Sequence, residues 1–158
     1  MIGNPSAESG DRLAWEIRAV AERLRQLSPA RLRTPLPSYP SREQAARVLA
    51  QRLADAAAGV VARDSDQPPE WRGVPEIEVF AVGEQVAVTG NDLVRELAAL
   101  PTTGDAATGD ATTGDSEAGE AAGRVPVDIM IWTPSGRRPL SEVIDDLLTT
   151  LRELRLGL

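Results

Sequence analysis

Apolar residues recur at alternating steps of three and four in three stretches of the chain, 11–27, 41–61 and 140–158, and each stretch predicts an amphipathic α-helix. In the third stretch acidic side chains occupy the first turns and Arg152 and Arg155 the last, as the helix dipole favours. The apolar positions are Leu13, Ile17, Val20, Leu24 and Leu27 in the first stretch, Ala46, Leu49, Leu53, Ala56 and Val60 in the second, and Leu140, Ile144, Leu147, Leu151, Leu154 and Leu158 in the third.

Helix boundary signals support this pattern. Ser41 is followed three residues later by Gln44, which fits a capping box and predicts the start of the second helix. Four prolines within 28–40 favour an extended connection before it. Asn91 is a suitable cap for a short fourth helix over 92–100, which Pro101 would end.

Two segments alternate apolar and polar residues and predict β-strands. Residues 77–88 contain Ile77, Val79, Val86 and Val88 around Gly83, which predicts a hairpin with a two-residue turn. Residues 125–132 alternate strictly and form the best strand pattern in the chain, followed by a turn at 134–136. We expect this strand to pair with the 77–88 hairpin in a small antiparallel sheet.

The predicted fold is therefore α+β and mostly helical, with three long helices, one short helix and a small antiparallel sheet. Residues 1–10 are expected to be a disordered N-terminus, and 11–101 a helical part that includes the hairpin. Residues 102–123 are a low-complexity acidic repeat without large apolar side chains, and such composition is typical of a linker. Residues 124–158 are expected to complete the same domain.

Composition excludes several chemistries. The chain has no Cys and no His, and all 17 basic residues are Arg. Thiol and histidine chemistry, and any mechanism that needs a lysine, are therefore ruled out. We expect no cofactor and, because only carboxylates, Tyr39 and Arg remain for catalysis, no enzyme. No secretory signal or membrane-spanning run is visible, and we expect a cytoplasmic protein.

Two groups of charged residues nevertheless suggest alternatives. Glu142 and Asp145 lie at i and i+3 on the last helix, as carboxylates that hold Mg²⁺ in helical phosphohydrolases do, but no matching pair occurs on another predicted helix. Residues 23–42 contain five Arg and no acid, so Arg31, Arg33 and Tyr39 form a candidate surface for an acidic partner or for nucleic acid. The overall pI of about 4.7 argues against nucleic acid.

The leading hypothesis is a non-catalytic interaction or adaptor protein that presents apolar helix faces to another protein or to a second copy of itself. The candidate surface comprises Leu13, Trp15 and Ile17 of the first helix, Leu140, Ile144, Leu147, Leu151 and Leu154 of the last, and Arg31, Arg33 and Tyr39. The alternative is that the same apolar stripes pack against one another inside one monomer. A second alternative is that residues after 124 exchange between copies as a domain swap.

Overall fold

The computed structural model describes residues 5–101 and 129–158, with the backbone alone for residues 5–8. The predicted linker and the first half of the predicted 125–132 strand lie outside the described residues. The described part has a mostly helical α+β fold, which confirms the predicted fold class. The elements in chain order are α1 (Pro5–Gln26), α2 (Pro29–Leu32), α3 (Arg42–Val61), a 3₁₀ turn (Val79–Ala81), α4 (Val82–Ala98), β1 (Met130–Thr133), β2 (Gly136–Pro139) and α5 (Leu140–Gly157).

Helices α1 and α3 bury the apolar stripes that the sequence predicted. α1 begins at Pro5 rather than near Asp11, and proline suits a first helical turn because its missing N–H needs no partner there. The hydroxyl of Ser41 accepts a hydrogen bond of 3.0 Å from the N–H of Gln44, as expected of the α3 cap. The buried stripe residues are Leu13, Ile17, Val20 and Leu24 of α1 and Ala46, Leu49, Leu53, Ala56 and Val60 of α3.

The predicted 77–88 hairpin is wrong, because residues 82–98 form a single helix, α4. The buried positions Val82, Val86 and Leu93 follow helical spacing, whereas Val88, which the alternation placed beside Val86, is exposed. Gly83, taken for a turn residue, lies in the first turn of α4. The predicted short helix over 92–100 is the second half of this longer one.

The small sheet is local to the C-terminal part of the chain. β1 pairs with β2 in an antiparallel hairpin, with Ile131 opposite Arg138. Gly136 has a φ of 115° in the turn, a conformation that favours glycine. The expected pairing of this strand with residues 77–88 is wrong, since those residues are not strands. The inward position Ile131 is fully buried against the helices.

The core is closed by α5, which packs against α1 and α3. α4 covers the opposite side through its contacts with the same two helices. Among the described helices, none combines the length and the apolar character that crossing a bilayer requires. Helices α1, α3, α4 and α5 therefore enclose one apolar interior, and the hairpin covers the C-terminal end of α3.

Candidate functional site

Most of the apolar residues that the sequence offered as an association surface lie in the core. Leu13, Ile17, Leu140, Leu147, Leu151 and Leu154 are buried, and Ile144 is half-buried against them. They are covered by the chain's own helices, so association through them would require the molecule to open. Trp15 differs, because its ring is exposed and the guanidinium of Arg155 lies 5.1 Å from its centroid.

Beside Trp15 lies a buried carboxylate. Glu16 is only 3% exposed, and its Oε2 accepts no hydrogen bond within the described residues. Two α5 arginines balance its charge, with Arg155 Nε at 3.4 Å from Oε2 and Arg152 Nε at 3.9 Å from Oε1. The arrangement joins α1 to α5.

Two carboxylates of the last helix, α5, form ion pairs with the hairpin. Glu142 and Asp146 form ion pairs with Arg138 at 3.4 and 2.9 Å, and hydrogen bonding to Asp146 raises the pKa of Arg138 above its ordinary value. Asp145 is exposed beside them. No cluster of metal-ligating side chains occurs among residues 9–101 and 129–158. The structure thus brings Glu142 together with an arginine rather than with a second acidic pair.

The arginines of residues 23–42 divide into two groups. Arg23 and Arg42 donate hydrogen bonds to backbone carbonyls at the end of α5, and Arg25 forms an ion pair of 2.7 Å with Glu84. This pair lowers the pKa of Glu84, chiefly through the hydrogen bond from Arg25. Arg31 and Arg33 are exposed, and their side chains have no partner within the described residues.

Tyr39 is half-buried against the core. Its backbone exchanges hydrogen bonds of 3.0 and 3.2 Å with Leu36, which closes the proline-rich connection into a small loop. The ring therefore packs inward, and the free arginines lie elsewhere on the same connection.

One side of α3 holds a segment that has no secondary structure of its own. Residues 68–78 run without a helix, turn or bend. The side-chain amide of Gln51 donates to the carbonyl of Arg72 at 3.1 Å and accepts from the N–H of Val74 at 2.7 Å. Further along, Arg47 Nη2 donates to the carbonyl of Ile77 at 2.7 Å. Because residues 51 and 47 are one helical turn apart, the segment runs antiparallel to α3.

A groove of about 820 Å³ opens where this segment reaches the start of α4. The side chain of Phe80 on its edge is 64% exposed. Its lining residues are Arg33, Glu43, Arg47, Glu76, Ile77, Glu78, Val79, Phe80 and Ala81. The groove is thus lined by apolar residues at 77 and 79–81 and by charged residues at its other positions.

The charges of the groove are only partly paired. Arg47 and Glu43 form an ion pair of 2.7 Å and neutralise each other. The side chains of Arg33, Glu76 and Glu78 form no hydrogen bond or ion pair with any described residue. A free cation and two free carboxylates therefore line the same groove as the exposed ring of Phe80.

Of the residues proposed from the sequence as a binding surface, Arg33 alone lines this groove. Phe80 was missed because the predicted hairpin placed it in a strand. In α3, Glu43, Arg47 and Gln51 recur at steps of four and form a polar stripe. Such a stripe is also typical of a solvated helix face, so the sequence alone did not indicate the segment that packs there.

Comparisons of the chain with protein-family models, with curated proteins and with solved structures found no match.

Proposed function

We propose that this protein is a non-catalytic interaction protein that binds a segment of another protein in the groove between α3 and residues 76–81. The observation that carries the proposal is the exposed ring of Phe80 beside the unpaired Arg33, Glu76 and Glu78. Aromatic side chains, phenylalanine included, and arginine are enriched in protein interfaces. Binding through an aromatic ring and an arginine requires no histidine, cysteine or lysine, and this chain has none of these residues.

The charge pattern of the groove favours a partner segment of defined chemistry. A ligand that places an apolar side chain on Phe80 and an acidic one near Arg33 would cover the apolar surface and pair the free cation. Its basic side chains would face Glu76 and Glu78. The adaptor function expected from the sequence is thus kept, while the binding surface moves from the buried helix stripes to this groove.

The proposal is tested by selection from a phage-displayed library of random nonapeptides on the immobilised chain, followed by titration of the enriched peptides by fluorescence anisotropy. We expect Phe80→Ala to weaken their binding by about tenfold or more, because the variant removes the central apolar contact. Arg33→Glu should weaken the binding of peptides that carry an acid.

The matched control is Val88→Ala, which removes an apolar side chain that is 58% exposed on α4 but does not line the groove. It should leave the affinity unchanged. The proposal is overturned if no peptide is enriched above background, or if the enriched peptides bind Phe80→Ala as tightly as they bind the unmodified protein.

A further inference from the structure

We infer that the groove recognises an arginine of the partner segment, whose side chain lies on the ring of Phe80 and pairs with Glu76 or Glu78. The inference rests on the proposed function, because it names the side chain that the same groove selects. An arginine carries both an apolar stem and a planar positive charge. One residue of the partner can therefore cover the ring and face the two carboxylates at once.

Two aromatic rings of this chain already carry an arginine. The guanidinium of Arg155 lies 5.1 Å from the ring centroid of Trp15, and that of Arg137 lies 5.0 Å from the ring centroid of Trp132. These distances are typical of the attraction between a cation and the face of an aromatic ring. The ring of Phe80, in contrast, is exposed and has no cation over it within the described residues. Its surface is free to receive an arginine from another molecule.

The uncompensated charge of the groove is negative. Glu43 and Arg47 neutralise each other in an ion pair of 2.7 Å. The lining side chains that stay unpaired within the described part of the chain are one cation, Arg33, and two carboxylates, Glu76 and Glu78. Because the carboxylates outnumber the cation, a basic side chain of the ligand completes the charge balance of the groove.

The two carboxylates lie close to the ring along the chain. Glu76 and Glu78 precede Phe80 by four and two residues, and all three line the groove. The N–H of Ala81 donates to the carbonyl of Glu78 at 2.9 Å, which closes the turn that contains the ring. The ring and the nearer carboxylate therefore belong to one hydrogen-bonded turn, against which a single side chain can bind.

Arginine suits this pairing better than lysine does. Its guanidinium is planar, stacks on aromatic faces and donates hydrogen bonds to a carboxylate in a fixed fork. The ammonium group of lysine is compact and strongly hydrated. The expected ligand is therefore a peptide segment with an arginine for Phe80 and the two glutamates, and with an acidic residue near Arg33.

The experiment uses the nonapeptide that the library selection enriches most strongly, titrated by fluorescence anisotropy against the full chain. Its arginines are replaced one at a time with citrulline, which has a similar shape but no charge. We expect one position at which this exchange weakens binding at least about tenfold. Lysine at that position should weaken binding at least about threefold, because the planar contact with the ring is lost.

Variants of the protein test which groups receive this arginine. Glu76→Gln combined with Glu78→Gln should weaken binding of the arginine peptide at least about tenfold, and the citrulline exchange should then cost almost nothing. Phe80→Leu keeps an apolar side chain but removes the ring, and should weaken binding at least about threefold. The matched control combines Glu153→Gln with Asp145→Asn, which removes the same charge from exposed positions outside the groove and should leave the affinity unchanged.

The outcomes separate this inference from the proposed function. If the enriched peptides depend on Phe80 but contain no arginine, or lose no affinity when it becomes citrulline or lysine, the groove binds protein segments and the inference is wrong. It is also wrong if Phe80→Leu binds as tightly as the unmodified protein, or if the citrulline exchange costs as much in the double glutamine variant. If nothing binds in a Phe80-dependent manner, the proposed function itself fails and the inference fails with it.

Discussion

At the scale of single residues, arginine has a recurrent structural role in this protein. Arg42 donates two hydrogen bonds, of 3.1 and 2.9 Å, to the carbonyl of Gly157 at the end of α5. Arg137 donates to the carbonyls of Arg63 and Ser65 after α3, at 2.6 and 3.1 Å. The planar guanidinium offers several donors in a fixed geometry, which the compact ammonium group of lysine does not. Arginine thus satisfies carbonyls at the end of α5 and just after the end of α3.

The buried Glu16 depends on this chemistry most strongly. A carboxylate that is removed from water is stable only beside compensating positive charge. Arg155 is the nearer of its two cations and also stacks on Trp15. Removing Arg155 would leave the carboxylate with Arg152 alone, at the longer distance.

We therefore expect Arg155→Met, which keeps much of the aliphatic stem, to lower the free energy of unfolding by about 1–3 kcal/mol. Urea denaturation would measure the loss. In a Glu16→Gln background the same substitution should cost much less, because no buried charge remains to be compensated. Equal costs in both backgrounds would show that the ion pair does not contribute to stability.

At the scale of secondary-structure elements, glycines allow α1 to lie close to α4 and the hairpin to lie close to α3. A Cβ atom on Gly90 of α4 would overlap the side chain of Ile17 in α1, and one on Gly59 of α3 would overlap the carbonyl oxygen of Trp132 in β1. A Cβ on Gly83 would lie 2.9 Å from the carbonyl oxygen of Ala21. Helical glycine usually costs about 1 kcal/mol relative to alanine. Here it lets α1 approach α4 and lets the hairpin reach α3.

The test is a pair of glycine-to-alanine substitutions with opposite expected signs. Gly59→Ala should lower the free energy of unfolding by about 1–3 kcal/mol, because the strand backbone must move. Gly10→Ala, in α1 with nothing within 4 Å of the added Cβ, should raise it by up to about 1 kcal/mol through helix propensity. Thermal or urea unfolding measures both. A stabilising Gly59→Ala would mean that the hairpin does not lie this close to α3.

The same scale shows where sequence patterns mislead. Residues 77–88 alternate well enough to predict strands, yet 82–98 are helical. The alternation is short, and Gly83 and Gly90 lower the helix propensity of the segment in isolation. The helix is stabilised by packing Val82, Val86 and Leu93 against α1 and α3. Their helical spacing was present in the sequence and competed with the alternation.

At the scale of the whole molecule, residues 129–158 complete a core that residues 5–101 begin. Ile131 and the buried face of α5 fill the space left by α1 and α3, and polar bonds such as Arg52 to Thr150 at 3.1 Å join the two parts. The apolar stripes of the long helices therefore meet within one chain. Apolar residues that are already buried in this core cannot contact another protein unless the core opens.

Molar mass in solution tests this arrangement. We expect light scattering to give the monomer mass of 16.8 kDa. Leu147→Asp should unfold the chain, because it places a charge at a buried core position and costs more than about 4 kcal/mol. Leu156→Asp, on the same helix at a position that is 86% exposed, should change neither mass nor circular dichroism. A dimer that Leu147→Asp converts into a folded monomer would instead make α5 an interface or an exchanged segment.

What the sequence determined by itself was local. The sequence predicted the apolar stripes of three helices, the Ser41 cap and the turn before β2. Each of these features is caused by residues that lie close together along the chain. The fold class followed from the same patterns. The free Arg33 was also noticed, although nothing in the sequence indicated which of the five arginines of 23–42 would remain unpaired.

The tertiary structure decided everything that depends on residues distant in sequence. It paired β1 with β2 rather than with residues 77–88, and it brought Arg33 and Phe80 into the lining of one groove. An apolar stripe in the sequence shows that one face of the helix must be buried. It does not show which surface buries that face, because the hydrophobic effect is non-directional and many apolar surfaces would serve equally well. Which faces meet is set by shape, by glycines such as Gly59 and by the few buried charges. The groove at Phe80 lies on a surface that remains exposed after these faces have packed together.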